Sequence, residues 1–436
     1  MAERTLFGTD GVRGAVGDFL TPDLAVKLGR AAALQAEADR PQVLIIRDTR
    51  ESGPMLEEAL AAGIASGGGD ALLGGVLPTP AASVLTRRLG LDLAGVVSAS
   101  HNPFQDNGIK FLDSSGSKLA DEAEAGIESR LEEPAQTEVG RVRTLEGAFD
   151  DYIRELRTVF SLDLSGRRVA LDCANGATYR AAPAIFERFG AKVDAIAIEP
   201  DGTNINAGCG ATDPKALAER VAGSDAEIGF AFDGDGDRVI AVDGNGEIHD
   251  GDELIALAAR HLHENGGLSG GVAVTVMTNY GFHQALGADG IELTETKVGD
   301  RYVLEALRER DWNLGGEQSG HIIWTDFTPT GDGIAAALLA MRALGDRKLE
   351  EVEPFERLPQ RLENVTIADR GAVEGAKGLW DAVERENAAL EGRGRVLVRP
   401  SGTEPLLRVM VEAPDEAECE QVLSRLIEVA RSELGA

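Results

Sequence analysis

Short, continuously apolar runs alternate along this chain with longer amphipathic stretches, and the alternation predicts strand, helix, strand. "PQVLIIRDTR" reads as a buried strand running into polar residues, and "PMLEEALAAGIASG" as a helix closed by glycine. "DALLGGVLPTP" is a strand and then a turn, and "AASVLTRRLG" is a short helix ahead of the strand "LAGVVSAS". This βαβ rhythm predicts a mostly parallel sheet. The scheme recurs in "GRRVALDCANGATYRAAPAIFERFGAKVDAIAI" and again in "GVAVTVMTNYGFHQALGADGIELTET", with "RYVLEALRERDWNLGGEQSG" as the next helix and loop.

The pattern therefore predicts three related α/β units over residues 1–150, 151–250 and 251–362, with seams near "EGAFDDYIRELRTVF" and "DGDELIALAARHL". From about Glu363 the rhythm changes. A strand "ENVTIAD", a helix "WDAVERENAALEG", strands "GRVLVRP" and "LLRVMVEAP" and a last helix predict a small α+β domain over residues 363–436.

Composition narrows the class. No run approaches the roughly 20 apolar residues of a membrane span, and "MAERTLFGTD" has neither the apolar core nor the cleavage site of a secretory signal, so a cytoplasmic protein is expected. Cys173, Cys209 and Cys419 lie far apart without metal-knuckle spacing, which predicts buried structural thiols. With 74 acidic against 43 basic residues and a net charge of -31, the chain repels nucleic acid and anionic membranes, so an anionic ligand must be attracted locally.

Four loops at predicted strand ends carry unusual chemistry, where open α/β sheets bind ligands. In "SASHNPFQDNGIKF", Ser100 is either a plain turn residue or a nucleophile, and His101 and Lys110 are the candidates to activate it. In "FDGDGDRV", Asp233, Asp235 and Asp237 repel one another unless a cation neutralises them, and oxygen ligands of this kind suit Mg2+ or Ca2+. An EF-hand is excluded, because Arg238 stands at its sixth position and Gly244 at its twelfth. A solvated acidic turn remains the plain alternative. In "GGEQSGH", Glu317, Ser319 and His321 form either a capped polar turn or a reader of carbohydrate hydroxyls. In "VRPSGTEPLLRV", Arg399, Ser401, Gly402, Thr403 and Arg408 offer guanidinium forks, hydroxyls and open backbone amides, a set that favours a phosphate dianion over a solvated turn. Together the loops describe phosphoryl transfer on a phosphorylated polyol.

The order "LFGTDGVRG", "RDTRESG", "SASHNPFQDNGIKF", "DGDGDR", "KVGDRYV", "GGEQSGH" and "RPSGTEP" resembles the α-D-phosphohexomutase superfamily across essentially the whole chain, most closely its bacterial phosphoglucosamine mutase branch. The resemblance implies a heart-shaped, four-domain α/β protein, three related α/β domains plus a C-terminal α+β domain, each giving one loop to a central cleft. It implies that Ser100 is carried as phosphoserine and, with Asp233, Asp235 and Asp237, holds one Mg2+. It implies Lys110 as general base or acid, with Arg13 and His101 binding the transferring phosphoryl group and Arg238 following the metal ligands. Glu317 and Ser319 would read sugar hydroxyls, His321 would support their loop, and Arg399, Ser401, Gly402, Thr403 and Arg408 would hold the other phosphate.

The implied reaction joins glucosamine 6-phosphate and glucosamine 1-phosphate through a 1,6-bisphosphate, with glucosamine or glucose 1,6-bisphosphate as activator and a monomer or homodimer as the assembly. Phosphomannomutase and phosphoglucomutase are the alternative sugar preferences. A metal-dependent phosphatase and a non-catalytic sugar-phosphate sensor are rivals of other classes. Ile46, where relatives commonly carry Gly, and Asp213, where the bacterial branch often has His, depart from the pattern outside the transferring set.

Overall fold

The apolar run Leu93–Val97 is buried along its whole length, as a strand covered on both faces must be, and it sits inside a six-stranded sheet. The computed structural model of the protein describes residues 5–8, 10–400 and 405–435. In that sheet the order is Val12–Ala15, Asp106–Asp113, Leu93–Val97, Gln42–Arg47, Asp70–Val76, Val142–Thr144. Gln42–Arg47 pairs parallel with both its neighbours. Asp106–Asp113 runs antiparallel to Leu93–Val97 and to Val12–Ala15, so the sheet is mixed. The alternating residues of "DNGIKFLD" thus form a strand rather than a loop, and Val96 faces Lys110 across the ladder.

Helices Pro22–Gln35 and Gly53–Ser66 pack against each other through glycines. A Cβ on Gly29 would lie 2.3 Å from the Leu60 carbonyl oxygen, and one on Gly63 would lie 2.2 Å from that of Val26. The first helix starts where Thr21 accepts a hydrogen bond from the Leu24 N–H, with Pro22 at its first position.

A five-stranded sheet follows, ordered Ile248–His249, Val239–Asp243, Ile228–Phe232, Arg168–Asp172, Lys192–Ile196. Its antiparallel hairpin pairs Phe232 with Val239 and carries the aspartate-rich turn at its tip. A four-stranded sheet holds Leu293–Thr296, Val272–Thr275, Leu314–Gly316 and Ile322–Trp324, whose last two strands form the hairpin that carries "EQSGH". Asp250 and Glu253 close a capping box on the helix Gly251–Glu264.

The chain divides into two compact units, Met1–Met277 with Thr294–Glu353, and Thr278–Leu293 with Pro354–Ala436. The second unit is built on an antiparallel sheet, Gln360–Thr366, Leu406–Glu412, Arg395–Pro400, covered by the helices Lys377–Ala389 and Glu416–Leu434. Its first strand begins earlier than "ENVTIAD", because the polar "QRL" pairs at the sheet edge. The helix Tyr280–Ala288 also belongs to this unit: the Asn279 amide donates to the Leu358 carbonyl at 3.1 Å, and a Cβ on Gly281 would meet the Glu356 carbonyl oxygen at 2.0 Å. All three cysteines are free and buried. Among the described residues, no helix is long and apolar enough to cross a membrane.

Candidate active site

Ser100 stands three residues past the end of the buried strand Leu93–Val97, in a left-handed backbone conformation with φ of 50°, and is 3% exposed. Its N–H donates to Ser98 Oγ at 3.0 Å, and Ser98 in turn donates to Asp48 Oδ2 at 2.6 Å. Ser100 Oγ donates to Asp233 Oδ2 at 2.6 Å and lies 3.3 Å from His101 Nδ1. Two loops that are 133 residues apart in sequence thus meet at one oxygen.

Asp233, Asp235 and Asp237 are buried, and each offers an oxygen within 4.8 Å of the others. Burial and the charges of Asp237 and Asp235 push Asp233 well above the usual carboxylate range. Burial also works against ionised Asp235, but the Lys110 ammonium, the Thr79 hydroxyl and Arg13 hold its pKa below the usual range. Oδ1 of Asp235 and Oδ1 of Asp237 are buried without a hydrogen-bond partner. Unsatisfied carboxylate oxygens in a cluster are costly unless a cation takes them up, and the donor set fits a hard divalent ion such as Mg2+.

Lys110 Nζ lies 3.1 Å from Asp235 Oδ2, 3.6 Å from Asp10 Oδ2 and 4.0 Å from Asp237 Oδ2. Burial disfavours its charge, yet these carboxylates, Asp10 foremost, more than offset burial and raise its pKa. As it stands Lys110 is an ammonium and donates. Arg13 pairs with Asp10, and its Nη1 reaches the Ala99 carbonyl at 3.4 Å. The Arg238 N–H donates to Asp233 Oδ1 at 3.2 Å, while its Nε has no hydrogen-bond partner and stands 4.0 Å from Asp237 Oδ1. Partial desolvation and the charges of Arg238 and Arg13 lower the pKa of the His101 imidazole, although the residue as a whole is exposed.

These groups open on a cleft of about 510 Å³, lined by Arg13, Ser100, His101, Asp237, Arg238, Glu317, Gln318, Ser319 and His321 among others. Glu317 Oε1 accepts from the Gly299 N–H at 3.0 Å, and Ser319 is exposed to the cleft. His321 is buried; its Nε2 accepts from the Gly331 N–H at 3.1 Å, which leaves the ring proton on Nδ1, 3.7 Å from Asp237 Oδ2. The neighbouring Asp237 and Asp300 raise the pKa of the ring against its burial, but the Gly331 N–H requires an unprotonated Nε2, and we assign the neutral ring.

Arg399 and Arg408 belong to the second unit, directly opposite each other on antiparallel strands. Partial burial and the charge of Arg408 lower the pKa of Arg399. Like charges paired across a ladder are unfavourable by themselves and become favourable around an anion. Ser401, Gly402 and Thr403 lie outside the described residues.

Several residues at the site were not among the sequence candidates. Lys118 Nζ bridges Asp10 Oδ1 at 2.5 Å and Asp300 Oδ2 at 2.6 Å, joining the cleft wall. Burial and those two carboxylates act on it in opposite senses, and the carboxylates win, raising its pKa. Arg50 and Asn206 both donate to the Ser100 carbonyl. Asp10, Arg50 and Asp300 stand inside the quoted motifs "LFGTDGVRG", "RDTRESG" and "KVGDRYV", which was the available signal; Lys118 and Asn206 carried none.

Four family descriptions match the chain in order: "Phosphoglucomutase/phosphomannomutase, alpha/beta/alpha domain I" over residues 4–138, domain II over 150–246, domain III over 250–361, and the C-terminal domain over 362–429. The chain is 50% identical to the phosphoglucosamine mutase of Moorella thermoacetica, covering 98% of this chain and 99% of that one. It is 49% identical to the phosphoglucosamine mutase of Pelotomaculum thermopropionicum with the same coverage. A crystal structure of a phosphoglucomutase/phosphomannomutase family protein from Burkholderia thailandensis, 24% identical, superposes with a TM-score of 0.84 over 99% of this chain and 98% of that one, and so shares the fold.

Proposed function

The chain belongs to the phosphoglucomutase/phosphomannomutase family, and from that premise we propose how it acts. It is an intramolecular phosphotransferase that interconverts glucosamine 6-phosphate and glucosamine 1-phosphate, the sugar being supported by the relatives that match nearly its full length. The observation that carries the mechanism is Ser100 Oγ, buried at the cleft floor and 2.6 Å from the carboxylate of a three-aspartate cluster.

Ser100 carries the phosphoryl group. Its O–P bond breaks as a P–O bond forms to O1 of glucosamine 6-phosphate; Lys110, having released its ammonium proton to solvent, takes the O1 proton, and the departing Ser100 Oγ takes up a proton from solvent, so the step has no net proton change. The resulting 1,6-bisphosphate turns over, its 6-phosphoryl group returns to Ser100 Oγ, and glucosamine 1-phosphate leaves with the serine as it began. Mg2+ held by Asp233, Asp235, Asp237 and a phosphoserine oxygen would supply positive charge to the transferring group and, by engaging Asp235 and Asp237, weaken the pairing that keeps Lys110 protonated.

Arg13, His101 and Arg238 face the same oxygen environment and offset or hydrogen-bond the phosphoryl group in transit. Glu317 and Ser319 read sugar hydroxyls, and His321 holds their loop through Gly331 and Asp237. Arg399 and Arg408, with Ser401, Gly402 and Thr403, take the phosphate that is not being transferred. An unphosphorylated chain is primed by glucosamine or glucose 1,6-bisphosphate, which gives Ser100 its first phosphoryl group.

The test is a side-by-side rate comparison on glucosamine 6-phosphate, glucose 1-phosphate and mannose 1-phosphate, with Mg2+ and a trace of hexose 1,6-bisphosphate. A clear preference for glucosamine 6-phosphate is expected. Equal or faster turnover of the neutral sugars would retain the chemistry and overturn the substrate.

A further inference from the structure

Arg50 is fully buried and every N–H of its guanidinium is used. Nε donates to Asp48 Oδ2 at 2.8 Å; Nη1 donates to the carbonyls of Pro103 at 2.5 Å and Asp106 at 3.0 Å; Nη2 donates to those of Ser100 at 2.8 Å and Asn102 at 2.9 Å. Asp48 is equally buried, accepts the Arg50 N–H on its other oxygen at 3.0 Å, and anchors Ser98, which accepts the Ser100 N–H. The loop from Ser100 to Asp106 therefore turns four of its carbonyls inward onto one planar cation. A buried ion pair of this kind is weak evidence for stability, since packed apolar side chains serve as well, but it fixes geometry.

The geometry in question is strained. Ser100 has a positive φ, which a residue with a Cβ avoids unless its surroundings impose it. Its carbonyl is gripped from one side by Arg50, from another by Asn206 Nδ2 at 2.9 Å, and Gly234 closes over it with no room for a Cβ. That conformation is what delivers Oγ to Asp233.

We propose that Arg50, seated on Asp48, is a positioning residue for phosphoryl transfer: it holds Ser100 stationary at the aspartate cluster, so that the phosphoryl carrier keeps one geometry in both half-reactions. The proposal rests on the phosphoserine reading above. Lysine at this position keeps the charge opposite Asp48 but loses the planar fork and two donors, so it cannot hold the four carbonyls together.

The experiment compares the intact wild-type chain with Arg50→Lys and Ser98→Ala, the second removing only the acceptor of the Ser100 N–H and the Asp48 contact. Arg50→Lys is expected to lower kcat roughly 10²-fold with KM for glucosamine 6-phosphate changed less than about threefold, since misplacing a nucleophile by an ångström costs the transition state and not binding. The rate at which glucose 1,6-bisphosphate phosphorylates Ser100, followed by intact mass, should fall by the same factor. Ser98→Ala should lower both rates about tenfold while still unfolding in one cooperative transition, at a melting temperature lowered by a few degrees because the buried Ser100 N–H loses its acceptor. A folded Arg50→Lys with wild-type kcat, or a fully active Ser98→Ala, overturns the proposal; if Arg50→Lys fails to fold, Ser98→Ala alone decides. A wild-type chain that takes phosphate on Ser100 yet does not convert glucosamine 6-phosphate would sink the substrate reading, and the phosphorylation rates would still decide the role of Arg50.

Discussion

Replacing Gly234 by Ala puts the packing at the serine to the test. A Cβ there would stand 2.5 Å from the Ser100 carbonyl oxygen, 2.7 Å from Asn206 Nδ2 and 2.9 Å from Ile205 Cδ1. Ordinary contact begins near 3.4 Å; the Asn206 amide and the Ile205 methyl are side-chain ends that can turn aside, but the Ser100 carbonyl is backbone, so serine and aspartate loops must part by about 0.9 Å. The 2.6 Å bond from Ser100 Oγ to Asp233 does not survive a shift of that size. Overpacking of this kind costs about 1–3 kcal/mol of stability. Displacement of the nucleophile costs on the order of 10²-fold in kcat, with little change in KM. The assay is turnover of glucosamine 6-phosphate alongside a thermal melt. Gly287→Ala is the control, because a Cβ there meets nothing within 4 Å and its helix gains from losing a glycine. Wild-type kcat and melting temperature in Gly234→Ala would refute the claim that the two loops are locked at the serine carbonyl.

Three further outcomes are expected. Asp235→Asn should weaken the Mg2+ dependence of the rate and lower kcat, since one ligand charge and the closest partner of Lys110 are lost together; an unchanged metal titration would remove Asp235 from the site. Asp332, whose pKa burial pushes up to about 6 from 3.8, favours its protonated form in the fold, so its contribution is fully present below the lower value and is lost as pH rises through the higher one. By pH 7 that amounts to about 3 kcal/mol. Asp332→Asn keeps an oxygen for the Ala335 N–H and turns an NH2 donor toward the Tyr152 hydroxyl oxygen, and should flatten the fall in unfolding free energy between about pH 4 and 6; parallel curves for the two proteins would contradict this. Arg399→Ala should raise KM for glucosamine 6-phosphate about tenfold or more, as one fork of a paired phosphate clamp is removed, and an unaltered KM would take Arg399 out of phosphate binding.

What could be read from the sequence was what local pattern encodes. Asp233, Asp235 and Asp237 declared themselves because three carboxylates in five residues have no purpose in a plain turn, and the structure brings their oxygens together. The apolar run before Ser100 marked a buried strand end, and the serine sits there. Arg50 could not be weighed the same way: "RDTR" is locally ordinary, and the carbonyls it holds lie 50 to 56 residues on. The clasp of Lys118 with Asp10 and Asp300 spans 182 residues to the latter, a distance no spacing rule reaches. The strand carrying Lys110 was hidden by the polar residues at its start, and its antiparallel pairing makes mixed a sheet that the βαβ rhythm predicts as mostly parallel.

The central claim is that a phosphoryl group travels from Ser100 to the sugar and back. Phosphorylated wild-type enzyme, prepared with glucose 1,6-bisphosphate and freed of excess reagent, would be mixed with glucosamine 6-phosphate in a single turnover with Mg2+, and both Ser100 and the small molecules followed by mass. Loss of phosphate from Ser100 matched by hexosamine 1,6-bisphosphate and then glucosamine 1-phosphate, with none of it in Ser100→Ala, is the predicted result. Release of inorganic phosphate in place of the bisphosphate would show water as the acceptor, and conversion that proceeds in Ser100→Ala would contradict the account outright.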